Sequence, residues 1–229
     1  MTPGIVLDME QGSPEWFQVR CGIVTASRCG DACAMRQNGD EKSERRDYRA
    51  EIISEILTGR PYPQYVTREM QWGLDQEPNA RLEYELRQGV MVDTVGFVQH
   101  GEIERFGCSP DGFVGDVGMV QFKCPTTATH LGWILGGIVP LEYMPQLLGE
   151  LSCNPEREWI DFVSFDPRMP AHLQLFVKRY HRDNKMVHAL ERNVRHFNAE
   201  VDQVLAALPQ AAQAVVLSMD QVAEDELEF

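Results

Sequence analysis

The 229-residue sequence has no apolar run of bilayer length, no N-terminal pattern of a secretory signal and no Cys-x-x-Cys pair. The first two absences argue against a membrane or secreted protein, so we expect a soluble, cytoplasmic one. Six scattered cysteines fit a reducing compartment, because a chain of this length does not depend on disulfides. Cys29 and Cys33 have a helical spacing, but no His or Cys lies at ligand spacing from them. We expect them to be packing residues rather than zinc ligands.

The sequence also lacks an excess of positive charge, since 35 Asp and Glu residues against 21 Lys and Arg residues give a formal charge of -14. This argues against a protein coated in basic patches, because phosphate contacts supply most of the affinity of DNA-binding proteins. It leaves room for a cleft or channel that gathers basic residues while the acids lie outside. Five acids near the C-terminus predict a solvated acidic tail over residues 218–229: Asp220, Glu224, Asp225, Glu226 and Glu228.

No internal repeat or low-complexity linker divides the sequence, so we predict one α/β domain over residues 1–217. Apolar residues at helical spacing predict helices over 43–58, 67–88 and 183–208. Ser43 is a candidate N-cap of the first helix, and Gly59 is a natural stop. In the second helix, Pro78 predicts either a kink or a new helix that begins after Glu77.

The middle of the chain is rich in β-branched residues and glycine turns. Segments 90–98, 104–108 and 119–124 predict an antiparallel meander. Segments 158–165 and 173–180 predict two further strands. The sequence therefore favours a sheet followed by a long helix that covers the core.

The segment from Cys108 to Pro125 carries the most chemistry: Cys-Ser-Pro-Asp-Gly, a turn, then Val-Gln-Phe-Lys-Cys-Pro. Side chains alternate along a strand, so Gln121 and Lys123 share one face, and a hairpin would bring Asp111 back to both. Magnesium-dependent phosphodiester hydrolysis uses such a set, because hard oxygen atoms hold Mg²⁺ and a lysine positions water. Taken alone, the same pattern also fits a solvated sheet face.

Further motifs extend this segment in order along the chain. The segment itself resembles the S-P-D-G and L-E-x-K-C-P motifs of lambda exonuclease and its YqaJ-like viral recombinase relatives, members of the PD-(D/E)xK nuclease superfamily. Four other stretches resemble motifs of that family: residues 16–27 (W-x-x-x-R-x-G-x-x-T-A-S), 72–77 (W-G-x-x-x-E), 143–146 (Y-x-x-Q) and 165–169 (Y-D-P-R-M). The resemblance implies an α/β fold with a restriction-endonuclease-like core, in which helices flank a central mixed sheet.

The resemblance also implies the roles of the site residues. Mg²⁺, for which Mn²⁺ can substitute, would be held by Asp111, Gln121, Glu77 and the Phe122 backbone carbonyl. Lys123 would orient the attacking water, and Gln146 would help to hold the site. Two structural alternatives stay open. Glu77 could cap a helix that follows Pro78, and Gln146 could be an exposed helix residue.

A second set of residues matches the family's contacts to the DNA end. Arg20, Thr25, Ser27 and Ser109 correspond to its 5′-phosphate pocket, and an arginine with small hydroxyls suits a phosphate dianion. Each hydroxyl alone could equally serve a turn or a cap. Met70 corresponds to an apolar wedge that separates the terminal base pairs, with a buried core methionine as the alternative.

Gln121 departs from the family, which has Glu at this position. A neutral amide holds Mg²⁺ more weakly than a carboxylate, so we expect an inactivated or weakened site. One explanation is that the Gln is an introduced, nearly isosteric change that leaves DNA uncut, and the intact remainder of the motif favours it. The other is that the natural enzyme works with a weakened site. Leu148 replaces a second family glutamine, which leaves that position without a predicted role.

The resemblance implies a phage or prophage exonuclease that digests linear duplex DNA bearing a 5′-phosphate in the 5′-to-3′ direction. It would leave 3′ single strands for a single-strand annealing protein. Family relatives are homotrimeric rings around DNA, which would reconcile the acidic net charge with DNA binding if basic residues line the inner wall: Arg20, Arg28, Arg36, Lys42, Arg45 and Arg46. The alternatives are a catalytically silent subunit that binds DNA ends and a structure-specific endonuclease of the same fold.

Overall fold

The computed structural model describes residues 2–63 and 65–225, with side chains described as far as residue 209. In this part of the chain the elements are, in order, β1 (Ile5–Leu7), α1 (Pro14–Val19), β2 (Val24–Thr25), α2 (Cys29–Ala32), α3 (Ser43–Thr58), α4 (Arg68–Gln88), β3 (Phe97–Gln99), β4 (Phe106–Cys108), β5 (Gly112–Val114), β6 (Gly118–Lys123), α5 (Thr127–Gly136), α6 (Met144–Cys153), β7 (Trp159–Phe165), β8 (Leu175–His181) and α7 (Asn184–Asp225). Of the predicted acidic tail, residues 226–229 lie outside the described residues, as do the side chains of 210–225.

The strands form two four-stranded mixed sheets flanked by helices. The first has the order β1-β3-β4-β2, with antiparallel pairs except for the parallel β2–β4 pair. The second has the order β5-β6-β7-β8, in which only β6 and β7 run parallel. The predicted mixed α/β fold is confirmed. The predicted single meander is wrong, because segment 104–108 pairs in the first sheet whereas segment 119–124 pairs in the second.

Helices cover both faces of the second sheet. On one face, Ala80 and Tyr84 of α4 pack against Val120 and Phe122 of β6 in one apolar cluster. On the other face, Met119 belongs to the larger core that α2, α3, α6 and α7 share with the first sheet. Residues of β6 that face this second side therefore lie beneath α6.

Helix α6 packs closely against the 3₁₀ turn that follows β2. A Cβ atom added to Gly149 would lie 2.9 Å from the Ala26 Cβ and 3.2 Å from the Cys29 Sγ. Ala26 begins the 3₁₀ turn that follows β2. Only a residue without a side chain fits this contact, which sets the distance between α6 and β2.

The predicted helices are present with adjusted ends. Helix α3 begins at Ser43, with Lys42 as its N-cap, and ends at Gly59 in the left-handed conformation (φ 63°). Helix α4 continues through Pro78, capped by the Thr67 side chain, which accepts a hydrogen bond from the Met70 backbone N–H. A helix that begins after Glu77 is therefore wrong. Among the described helices, none has the length and apolar content needed to cross a bilayer.

Candidate active site

The β5–β6 hairpin brings Asp111 to Gln121. The register pairs Gly112 with Val120, so Asp111 lies beside the next residue of β6. The Gln121 side-chain nitrogen donates to the Asp111 Oδ2 at 2.5 Å, and the Phe122 backbone N–H donates to the same oxygen at 2.6 Å. Strand periodicity thus predicted this contact correctly.

Helix α6 completes the opposite wall of this pocket. The Gln146 side-chain nitrogen donates to the Gln121 Oε1 at 2.9 Å, so Gln146 is not an exposed helix residue. Lys123, on the same face of β6 as Gln121, places its Nζ 5.1 Å from the centre of the Tyr143 ring. Within the part of the chain with described side chains, no carboxylate forms an ion pair with this lysine, which leaves its ammonium free to act on a ligand.

Helix α4 adds a second acid to the pocket. The Arg81 Nη2 donates to the Asp111 backbone carbonyl at 2.7 Å and lies 3.9 Å from the Glu77 Oε1. Burial and the Asp111 charge raise the pKa of Glu77 to about 7, against the opposing charges of Arg81 and Lys123. Asp111, Lys123 and Glu77 therefore converge, and the alternative in which Glu77 is only a helix cap is wrong.

Sequence reasoning missed one acid of this pocket, Glu150. Its Oε1 accepts a hydrogen bond at 2.8 Å from the same Gln146 nitrogen that bonds Gln121. Glu150 is only 1% exposed, and burial, followed by the Asp111 charge, raises its pKa to about 8. The signal was present in the sequence, since Glu150 lies four residues after Gln146 and so shares its helix face.

The oxygen donors of this pocket suit magnesium, with one deficiency. Asp111, the Gln121 side chain and the Phe122 carbonyl are hard oxygen donors of the kind Mg²⁺ prefers, and the Gln121 nitrogen lies 3.4 Å from that carbonyl. Among the described residues, no three His, Cys or acidic side chains gather closely enough to hold a metal ion. The deficiency is at position 121. The Gln121 amide donates a hydrogen bond to Asp111, whereas a glutamate there would share a cation with Asp111.

A second pocket is built around Arg20. The Arg20 guanidinium lies 3.6 Å from the centre of the Trp16 ring in a cleft that Thr25 also lines. Burial lowers the pKa of Arg20 to about 10. Among the described side chains, no carboxylate forms an ion pair with Arg20, whereas the neighbouring Arg28 pairs with Asp31 and Glu51. The Glu55 carboxylate also lines the cleft and acts on Arg20 through its charge rather than through an ion pair.

The other predicted phosphate contacts lie around this cleft. The Thr25 and Ser27 hydroxyl oxygens are 3.3 Å apart. Ser109 joins through Trp16, whose Nε1 donates to the Ser109 Oγ at 2.9 Å. Because Ser109 lies two residues before Asp111, this bond connects the cleft to the first pocket.

The structure also places the remaining candidates. Met70 is 57% exposed near the start of α4, so the alternative of a buried core methionine is wrong. Arg45 is 3% exposed and donates to the Glu200 Oε2 at 2.9 Å, so it cannot line a DNA channel. Cys29 is fully buried in the core, as expected for a packing residue.

Comparisons with known proteins agree with this geometry. The chain is similar to the alkaline exonuclease LHK-Exo from Laribacter hongkongensis, with 38% identity and a TM-score of 0.81 over 89% of this chain and 100% of that one. A structure of LHK-Exo in complex with dAMP gives 37% identity with the same TM-score and coverage. A phage-related exonuclease from Haemophilus somnus 129PT, at 15% identity and a TM-score of 0.61 over 81% and 96% of the two chains, shares the fold. No curated protein matches.

The family comparison covers most of the region that carries both pockets. A model of the YqaJ-like viral recombinase domain matches residues 15–155, which span Trp16, Arg20, Asp111, Lys123 and Gln146. Together with the likeness to LHK-Exo, this match supports a nuclease that acts on DNA. The chain belongs to the YqaJ-like viral recombinase family.

Proposed function

We propose that the protein is a magnesium-dependent exonuclease that digests one strand of linear duplex DNA from its 5′ end. It leaves 3′ single strands for recombination by a single-strand annealing protein. The observation that carries the proposal is the convergence of Asp111, Lys123 and Glu77 in one pocket. The bond from Trp16 to Ser109 joins that pocket to the cleft of the unpaired Arg20.

Each residue has a defined part in the proposed reaction. Asp111, the Phe122 carbonyl, the Gln121 side chain and Glu77 would hold Mg²⁺, which polarises a phosphate and acidifies water when bound. The free ammonium of Lys123 orients the water and offsets the charge that develops on the phosphate. Gln146 fixes the Gln121 side chain from the opposite wall. Met70, exposed at the start of α4, would separate the end base pairs.

The chemistry of the product explains why the two pockets belong together. Water oxygen bonds to phosphorus, the bond from phosphorus to the 3′ oxygen breaks, and a 5′-mononucleotide leaves. The shortened strand then carries a new 5′-phosphate. Arg20, Thr25, Ser27 and Ser109 would bind that phosphate and hold the strand for the next cleavage, since a half-buried arginine beside hydroxyl groups favours a dianion. A homotrimeric ring around the DNA would further retain the substrate.

Gln121 makes this a weakened site in our proposal. With the amide in place, Asp111 is satisfied by a hydrogen bond from within the chain. A carboxylate at position 121 could not donate that bond, so two acids and a carbonyl would face one another and require a cation. Gln121→Glu is therefore expected to increase metal affinity and DNA digestion together.

The test compares linear, 5′-dephosphorylated linear and circular duplexes in Mg²⁺, with the given chain, Gln121→Glu and the exposed control Gln203→Glu. We expect release of mononucleotides from the linear duplex, slower release without the 5′-phosphate, intact circles, and a large increase only in Gln121→Glu. Cut circles would favour a structure-specific endonuclease. End binding without hydrolysis in every variant would favour a silent end-binding subunit and contradict the proposal.

A further inference from the structure

Glu150 is a buried acid whose hydrogen bonding is incomplete. The side chain is 1% exposed, its Oε1 accepts from Gln146 at 2.8 Å, and its Oε2 has no partner among the described atoms. A buried carboxylate with an unsatisfied oxygen is costly unless a positive charge offsets it. Packing alone would favour an apolar residue here, because α6 is otherwise buried against the core through residues such as Leu147 and Leu151.

One nitrogen connects Glu150 to the position that lacks the family's acid. The Gln146 side-chain nitrogen has two hydrogens and donates one to the Gln121 Oε1 and one to the Glu150 Oε1. The Gln121 nitrogen in turn donates to Asp111. Glu150, Gln146, Gln121 and Asp111 thus form a continuous hydrogen-bonded chain with a carboxylate at each end, buried at Glu150 and half-buried at Asp111.

We propose that Glu150, which releases its proton to solvent when a divalent cation binds beside Asp111, supplies the negative charge that the pocket lacks at position 121 and acts through the Gln146 amide. This rests on the proposed metal-dependent function. Glu150 is a positioning residue, because it touches Gln146 and not the reacting atoms. A group that hydrogen-bonds a metal ligand typically contributes about 10- to 100-fold to metal affinity, and Glu150 reaches the proposed ligand Gln121 through Gln146.

If Glu150 supplies the charge that position 121 lacks, substitutions at positions 121 and 150 should depend on each other in their effects. Gln121→Glu should then improve cation binding in the presence of Glu150, and by a larger factor when Glu150 has been replaced by Gln. With both acids, the metal-free protein should lose thermal stability, since two buried carboxylates then join Asp111. Replacement of Glu150 in that background should restore the stability.

The experiment measures Mn²⁺ binding to the metal-free full-length chain by electron paramagnetic resonance, with thermal unfolding recorded on the same samples. The variants are the given chain, Glu150→Gln, Gln121→Glu, the double variant, and Glu156→Gln as a control that removes an exposed acid just after α6. We expect Glu150→Gln to weaken Mn²⁺ binding about 10- to 100-fold. The control should bind as the given chain does, and the double variant should recover.

Each other outcome has a definite meaning. Unchanged Mn²⁺ binding in Glu150→Gln overturns the inference, as does weakened binding that Gln121→Glu does not recover, because the loss would then reflect packing. If Glu150→Gln does not fold, the double variant decides, since it carries the same number of acids as the given chain. Absence of Mn²⁺ binding in every variant would overturn the proposed metal-dependent function itself. Binding by Gln121→Glu but not by the given chain overturns only the inference.

Discussion

The two pockets differ in the charge that the fold leaves uncompensated. The pocket around Asp111 gathers acids, and the pKa values of Glu77 and Glu150 are raised first by loss of solvent and then by the Asp111 charge. The cleft around Arg20 buries a cation whose pKa falls for the same reason of lost solvent. We therefore expect the first region to bind a cation and the second to bind an anion. The net charge of -14, an average over the whole chain, does not indicate the local charge of either pocket.

The largest effect should come from Lys123→Met, which removes the free ammonium of the acidic pocket. We expect the rate of nucleotide release to fall by about 10²- to 10⁴-fold, the usual contribution of a positioned proton-transfer or water-orienting group. Affinity for a 5′-phosphorylated DNA end should be retained, because the cleft is intact. Single-turnover digestion and end binding measured on the same variant test this, with exposed Lys178→Met as the control. Loss of both nucleotide release and end binding would mean that hydrolysis and end binding are not assigned to separate pockets.

Arg20→Gln should produce the complementary change. We expect affinity for a 5′-phosphorylated end to fall by about 10- to 100-fold, as for a lost hydrogen bond to a charged group. The preference over a 5′-hydroxyl end should disappear. Competition binding with matched duplexes measures both quantities, and exposed Arg192→Gln is the control. An unchanged preference would assign the phosphate to another site.

The pH dependence of stability should separate the two regions further. The pKa of Glu150 is about 8 and that of Glu77 about 7, both above the ordinary value of 4.5. Acids with a raised folded-state pKa stabilise the fold below their unfolded pKa, and this contribution is lost as pH rises through the folded value. The metal-free protein should therefore melt at a lower temperature at pH 8.5 than at pH 6, by about 5 °C. In Glu150→Gln this difference should shrink, whereas an equal difference would place its origin elsewhere.

The smallest effect is expected from Trp16→Phe. Phenylalanine keeps an aromatic ring for Arg20 but cannot donate to Ser109, a bond of 2.9 Å in the native protein. Loss of one such bond costs about 1 kcal/mol. Digestion of linear duplex should slow by less than about tenfold, with affinity for the 5′-phosphate nearly unchanged. A loss as large as that of Arg20→Gln would show that Trp16 contacts the end itself.

The parts of this molecule that follow from local periodicity were predictable. Alternation along β6 and the glycine turn before it predicted the meeting of Asp111, Gln121 and Lys123, which the register confirms. The roles assigned to these residues stay predictions, as do the 5′-phosphate contacts and the wedge role of Met70.

Features that depend on tertiary packing were not predictable. The strand partners divide between two sheets because long-range pairing, and not local pattern, selects them. Arg45 resembles any surface arginine in sequence, yet it is buried against Glu200. Glu150 shows no sequence sign of burial, because its environment comes from β6 and from the turn that packs on Gly149.

The contact at Gly149 has a consequence for where the DNA is cut. Because α6 carries Gln146 and Glu150 and packs against Ala26 beside Thr25, backbone packing fixes the distance from the Arg20 cleft, where we propose that the 5′-phosphate binds, to the acidic pocket. A strand anchored at its terminal phosphate would then always present the same internucleotide linkage for hydrolysis. The fixed distance between the two pockets would then set the size of the released product.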